Sequence, residues 1–209
     1  MRRMDPQPAD VPQLHVIVLA AGASTRFGSP KQLVRIGGQP LLHRAVANAV
    51  ELAGQAVTVV LGAHAAELTP LLRHSVASVI VNREWSEGLG SSIRAAVTRL
   101  PPSCEGALIT LADQAAVTVD DLKRLAGTWR REPGRIVAAR YEGRLGVPAV
   151  FPRADFATLA ALRGDRGARE LLRRSHDRVI GVNLANAGID IDTPEDLLRL
   201  PGAPEADGR

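Results

Sequence analysis

Aromatic residues are scarce in this chain: three Phe, two Trp and one Tyr make up 3% of its 209 residues. Stacking platforms are therefore few, which argues against nucleic acid as a partner despite a formal net charge of +4. Cysteine is almost missing as well. Cys104 stands alone, so an internal disulfide is excluded and a cysteine-based metal site is disfavoured. No segment approaches the roughly 20 uninterrupted apolar residues that span a bilayer. The early apolar run at 16–21 is far shorter, and no membrane partner is expected. Residues 1–13 carry arginines, acids and prolines where a signal peptide would have an apolar centre, and read as a flexible lead-in. Residues 201–209 read as a flexible tail. The cytoplasm is then the default compartment.

What is present is a regular alternation. Apolar β-branched runs at 15–20, 56–61, 78–81, 106–111 and 135–139 alternate with helix-period segments at 40–52, 65–73, 91–100 and 118–129. Thr118 is placed to cap the last of these, with Asp120 and Asp121 in its first turn. Beyond Tyr141 the pattern predicts a strand at 147–151, short helices near 156–162 and 168–174, a strand at 178–182 and a helix at 193–200. Strands joined by helices imply right-handed crossovers and a mostly parallel sheet in one domain, 14–200. Ligands on such sheets bind at the carboxyl ends of the strands.

The loop after the first strand, LAAGASTRFGSPK at 19–31, occupies such a position. Gly22 and Gly28 permit close backbone approach, successive N–H groups there can form an anion nest, and Arg26 and Lys31 add positive charge. Neither the P-loop nor the G-x-G-x-x-G spacing is present. Spacing alone leaves two readings open, a triphosphate cradle and a strand-to-helix turn with solvated basic residues. Asp113, directly after the strand GALITL, suits a Mg²⁺ ligand and equally a turn cap. Asp190 and Asp192, in DIDTPED, share one side of an extended segment. Asp192 also sits where a helix cap belongs.

Residues 19–31 resemble the LAAGxSxRxGxxK signature of the MobA-like NTP transferases, closest to the molybdenum cofactor cytidylyltransferases. The resemblance runs from about 14 to 200 and implies a Rossmann-like three-layer α/β fold of the nucleotide-diphospho-sugar transferase type. It gives nucleotide-binding roles to Leu19, Ala20, Ala21, Gly22, Arg26 and Lys31. Asp113-Gln114 resembles the family's D-Q-P metal motif with Ala115 in place of Pro, and the DIDTPED segment makes Asp192 a second metal ligand, Asp190 being the alternate. The segment EGLGSSIR at 87–94 resembles the G-x-x-x-S-(L/I)-R element and implies nucleotide contact by Ser91, Ser92 and Arg94. The other reading there is an ordinary Ser-capped helix.

Residues 146–151 with 164–169 resemble the second-substrate region, where Val147 replaces a His often found there. Arg163, Arg166, Arg169, Arg173 and Arg174 either face an anionic acceptor or form a solvated helix face. The resemblance implies a Mg²⁺-dependent enzyme in which Arg26, Lys31 and Asp113 carry catalysis. A nucleoside triphosphate, with Ala21 tilting the base towards CTP, would donate to molybdopterin, and a molybdoenzyme or its chaperone would be the partner. A sugar- or polyol-phosphate acceptor and a non-catalytic cofactor chaperone are the alternatives.

Overall fold

In the computed structural model, residues 13–25, 27–189, 191 and 196 are described. The expectations placed on residues 1–12, Arg26, Asp190, Asp192, the helix at 193–200 and the tail at 201–209 lie outside the described residues.

Seven strands form one sheet: β1 (Leu14–Ala20), β4 (Val57–Leu61), β5 (Ser78–Val81), β6 (Gly106–Leu111), β7 (Ile136–Tyr141), β8 (Arg144–Pro152) and β9 (Val179–Asn183). Two short strands, β2 (Arg35–Ile36) and β3 (Gln39–Pro40), pair separately. The order of the large sheet is β5-β4-β1-β6-β8-β7-β9. Its helices are α1 (Leu41–Ala53), α2 (Ala65–Leu68), α3 (Leu89–Val97), α4 (Val119–Arg131), α5 (Phe156–Ala160) and α6 (Gly167–Arg174). The sheet is mostly parallel; β8 alone of the seven runs against both its neighbours, β6 and β7.

The three layers follow from β1. It lies in mid-sheet between β4 and β6, so both faces are covered and its sequence is a continuous apolar run. Alternate side chains part to opposite sides. Val16 and Val18 join Leu42 and Val46 of α1 and Leu122, Leu125 and Trp129 of α4 in one core. Ile17 and Leu19 join Ile93 and Val97 of α3, Leu159 of α5 and Leu171 and Leu172 of α6 in the other. The expected cap on α4 is present as a full capping box, in which the Thr118 side chain accepts from the Asp121 N–H and the Asp121 carboxylate accepts from the Thr118 N–H.

The sequence pattern missed one element of the second half. Residues 141–144 join β7 and β8 as a tight hairpin, with positive φ at Glu142 (49°) and Gly143 (73°). Hairpin turns of this kind favour Asn-Gly or Asp-Gly. Glu-Gly carries a weaker form of that signal, and the strand at 147–151 consequently extends back to Arg144.

Candidate active site

Parallel β1 and β6 end side by side, with Leu19 opposite Leu111, and Ala20 of β1 pairs with Leu61 at the end of β4. A cleft of about 480 Å³ opens at these ends, lined by the segments that follow β1 and β6, by Trp85, Ser86, Gly88 and Leu89 beyond β5, and by Asp165. Leu19, Ala20, Ala21, Gly22 and Lys31 line it from the first loop, Asp113 from the loop after β6, and Ser92 from α3. Lys31 and Asp113 are 82 positions apart in sequence, yet Lys31 Nζ lies 2.6 Å from Asp113 Oδ2. Both are largely shielded, with side chains 14% and 19% exposed. The other carboxylate oxygen, Oδ1, is buried with no hydrogen-bond partner in the described structure. This orphan oxygen and the hard, anionic donor fit a divalent cation, which takes oxygen ligands.

A set of side chains that sequence reading did not single out holds the first loop in shape. Gln32 is buried at 3% exposure. Its Nε2 donates to the carbonyls of Ala20 (3.3 Å) and Gly22 (3.2 Å), and its Oε1 accepts from the Ser24 hydroxyl (3.3 Å). Ser24 in turn accepts the Lys31 N–H at 3.2 Å, while its own backbone adopts φ 53°, an uncommon conformation for a residue with a Cβ. His64 contacts the Ala23 carbonyl through Nε2 at 3.0 Å, and Ala63 donates its N–H to Ala21 O. A Cβ on Gly62 would lie 2.5 Å from Ala21 O and 2.7 Å from the Cβ of Trp85, so only glycine lets the second loop close on the first. Polar residues at 24, 32 and 64 carry no periodic signal; their common target emerges only when the loops meet.

The EGLGSSIR segment divides. Ser92 faces the cleft and accepts from Asn82 Nδ2 at 3.0 Å. Ser91 is buried, accepts from Asn82 (2.8 Å) and donates to the carbonyls of Glu84 and Gly88. It does not line the cleft, and neither does Arg94. In this structure both Ser91 and Arg94 are engaged within the protein. Arg94 donates to Glu84 (2.8 Å), to both carboxylate oxygens of Glu87 (3.1 and 2.5 Å) and to the Leu162 carbonyl (2.9 Å). Its hydrogen bonds to Glu87, then to Glu84, hold the guanidinium more firmly protonated than usual, and Arg94 in return lowers the Glu87 pKa. The bonds link the segment carrying Trp85 and Ser86, which line one wall, to the segment leading to Asp165, which lines another. Gly88, at φ 111°, allows the two walls to touch: a Cβ there would collide with Asp165. Arg173 and Arg174 pair with Glu170 on the surface of α6.

After β6, Ala115 stands where the resembling motif has proline. Its N–H donates to the Asp113 carbonyl at 2.9 Å, a bond that proline could not make, and Ile191 donates to the same carbonyl at 3.2 Å. The departure thus keeps the turn beside the carboxylate. Among the described residues no group of three or more His, Cys, Asp or Glu is gathered for a metal, and no helix is long and apolar enough to cross a membrane.

A family model described as "MobA-like NTP transferase domain" matches residues 16–179. Nicotine blue oxidoreductase of Paenarthrobacter nicotinovorans is 32% identical over 91% of this chain and 98% of its own length. The bifunctional enzyme IspD/IspF of Clavibacter michiganensis is 34% identical over 61% of this chain, which spans only 33% of that longer protein. Among solved structures, Rv0371c of Mycobacterium tuberculosis matches with a TM-score of 0.78 at 29% identity, covering 90% of this chain and 97% of its own. The same protein has been solved as a complex with manganese, which matches with a TM-score of 0.76 at 28% identity, covering 90% of this chain and 97% of its own.

Proposed function

The chain belongs to the MobA-like NTP transferase family, and from that premise we propose that it transfers the cytidylyl group of CTP to the phosphate of molybdopterin with release of pyrophosphate. The observation that carries the reading is the Lys31–Asp113 pair in a glycine- and alanine-lined cleft at the ends of β1 and β6. The pair supports the reading because a cation and a carboxylate meet at the carboxyl ends of parallel strands, where such sheets bind ligands.

In the proposed reaction an ionised oxygen of the acceptor phosphate attacks the α-phosphorus in line. A new P–O bond forms as the bond to the β-phosphate oxygen breaks, and pyrophosphate leaves with the electron pair. No protein nucleophile or proton transfer is needed, because the attacking oxygen is already ionised. Catalysis rests on alignment and on charge placed around the phosphates. Lys31 exchanges Asp113 for the phosphate oxygens, and Arg26, outside the described residues, steadies the leaving pyrophosphate. Asp113 is the proposed ligand of a divalent cation, Mg²⁺. Asp192 is proposed as the second, since its neighbour Ile191 hydrogen-bonds at Asp113. When bound, such a cation neutralises charge on the triphosphate. The backbone of Ala20, Ala21 and Gly22 approaches the nucleotide without side-chain obstruction, and Gln32 holds it in place.

Pyrophosphate release measured with CTP, GTP, ATP and UTP, each with and without molybdopterin, tests this reading. Release is expected only with molybdopterin and fastest with CTP. Release with a sugar or polyol phosphate instead would move the reaction to that acceptor class. Tight nucleotide binding with no release in any mixture would replace the enzyme by a cofactor chaperone, with a molybdoenzyme as its partner. One observation favours a second reading: a relative matched over 98% of its length is named an oxidoreductase. Oxidation of NADH or NADPH by this chain, in the absence of any pyrophosphate release, would decide for that class.

A further inference from the structure

A third apolar cluster, much smaller than the two cores of the sheet, stands apart from both. Leu41, Ala115 and Ile191 form its buried centre. They come from three places in the chain: the start of α1, the turn after β6 and the segment beyond β9. Phe27, Val34 and Ile189 pack against them. Phe27 precedes Lys31 in the sequence and Val34 follows it, while Ala115 comes shortly after Asp113. Ile191 stands between Asp190 and Asp192. Each acidic or basic residue proposed for the phosphates therefore has a neighbour in this one cluster.

Hydrogen bonds tie the same segments together. The Ile191 N–H donates to the Asp113 carbonyl at 3.2 Å, and the Leu41 N–H to the Val34 carbonyl at 2.9 Å. Arg44 and Asn48, one turn apart on α1, donate to the carbonyls of Ala115 (3.5 Å) and Val117 (3.0 Å). The first turns of α1 thus hold both the stretch that follows Lys31 and the turn that follows Asp113. Lys31 and Asp113 themselves lie outside the strands of the large sheet, so its ladder does not by itself set their separation. The cluster supplies a frame beneath the point where Lys31 Nζ and Asp113 Oδ2 meet at 2.6 Å. Close packing passes even a small change of volume on to neighbouring groups, so a frame of this kind fixes position sharply.

We infer that this cluster is a positioning device for the site, in which Ile191, Leu41 and Phe27 set Lys31 relative to Asp113. Naming phosphates as the ligand so received rests on the nucleotidyl-transfer reading above. None of the three residues lines the cleft, so they act through Lys31 and the Asp113 turn and not by touching the ligand. Ile191 is the strongest of them. Its side chain is enclosed by the cluster and its N–H holds the Asp113 turn, so one residue bears on both partners of the ion pair.

Calorimetric titration of the full chain with inorganic tripolyphosphate and Mg²⁺ tests this. Ile191→Ala should weaken binding at least about tenfold, the scale of one charge-assisted hydrogen bond. Ile191→Val, which keeps most of the packing, should stay within about twofold of the unaltered protein. Leu125→Ala empties an equally enclosed position in α4 and should lower Tm as much while leaving the affinity unchanged. In the Lys31→Met background Ile191→Ala should add less than about twofold, because its action passes through that ammonium. Unmoved affinity in a folded Ile191→Ala, the same loss in Leu125→Ala, a larger loss on top of Lys31→Met, or no saturable binding to the unaltered protein would each overturn the proposal. Should Ile191→Ala fail to fold, Phe27→Ala, at a partly buried residue, carries the same expectations, with Phe27→Leu as its conservative variant. The two readings fail separately. Pyrophosphate release with an affinity that Ile191→Ala leaves unmoved removes the positioning role alone, and the expected affinity pattern without release in any mixture removes the transfer reaction alone.

Discussion

The two halves of the sheet build their parts of the cleft in different ways. On the β1–β4 side, one loop supplies Leu19 to Gly22 and Lys31, and hydrogen bonds made by Gln32, Ser24 and His64 hold it. On the β8–β7 side, a second cavity of about 200 Å³ draws Gln114, Val147, Asp165 and Arg169 from segments far apart in sequence, with Val147 supplied by the antiparallel strand β8. The first half is a compact local structure for a constant chemical feature, the phosphates. The second assembles a surface from scattered residues, of which Val147 and Arg169 do not line the first and can change with less effect on it. In an enzyme that couples a nucleotide to a particular acceptor, that division lets specificity change while the phosphate chemistry is retained.

If the phosphate side carries the chemistry, the largest effect should come from its charged pair. Asp113→Ala is expected to lower the rate of pyrophosphate release by about 10³-fold or more, the scale on which transition-state charge stabilisation is lost. Lys31→Met should cost about 10²-fold, with a raised KM for the nucleotide. Circular dichroism should show both variants folded, since the core lies below the loop. Full activity in Asp113→Ala would sink the metal assignment and with it the contrast between the halves.

Next in size is Gln32→Leu. It removes two hydrogen bonds to loop carbonyls from a site that is 3% exposed. The expected loss is about 2 kcal/mol, or roughly 4–8 °C in Tm for a domain of this size. Because the loop shapes ground-state nucleotide binding, KM should rise more than kcat falls. An unchanged KM with the full thermal loss would make Gln32 a core residue only.

This contrast also explains what was legible in the sequence. The strands, the mostly parallel sheet and the 19–31 loop are written locally, as apolar runs and a contiguous motif, and the structure shows the same elements. Asp113 was legible because it ends a strand on the binding edge. Gln32 was not, since it acquires its significance from carbonyls that only the folded loop brings to it. Ser91 and Arg94 belong to a recognisable motif, but Asn82, Glu84 and Glu87 engage their polar atoms in this structure, and nothing in local spacing reveals those partners. The hairpin at 141–144 was hidden by a turn sequence, Glu-Gly, that departs from the favoured ones.

Arg94 gives a smaller effect that sharpens the comparison, because it ties the wall carrying Trp85 to the wall carrying Asp165. Arg94→Met should raise KM for both substrates about three- to tenfold while leaving kcat within about twofold, the pattern of a residue that holds a binding surface. Arg94→Lys should recover little, since an ammonium lacks the planar fork that serves two carboxylates and a carbonyl together. A large fall in kcat with KM unchanged would instead put Arg94 in contact with the reacting groups.

The smallest effect is expected at the opposite end of β1, where neither half of the site reaches. His15 pairs across the sheet with Ala107 and lies 2.9 Å from Thr58 Oγ1 through Nε2. Burial lowers its pKa below the ordinary value of 6.5. Above that value the ring is neutral in folded and unfolded chains alike, and its titration contributes nothing to stability. Below it, the unfolded chain takes up a proton that the folded chain resists, so stability falls as the pH drops. The ring is only partly buried, so the effect is small: on the order of 1–3 °C of extra Tm loss between about pH 7.5 and 5.5. His15→Gln should remove that increment and leave KM and kcat unchanged at both pH values. A change in KM with His15→Gln would show that the far edge of β1 communicates with the loop at its other end, and the two halves would then be coupled through the strand they share.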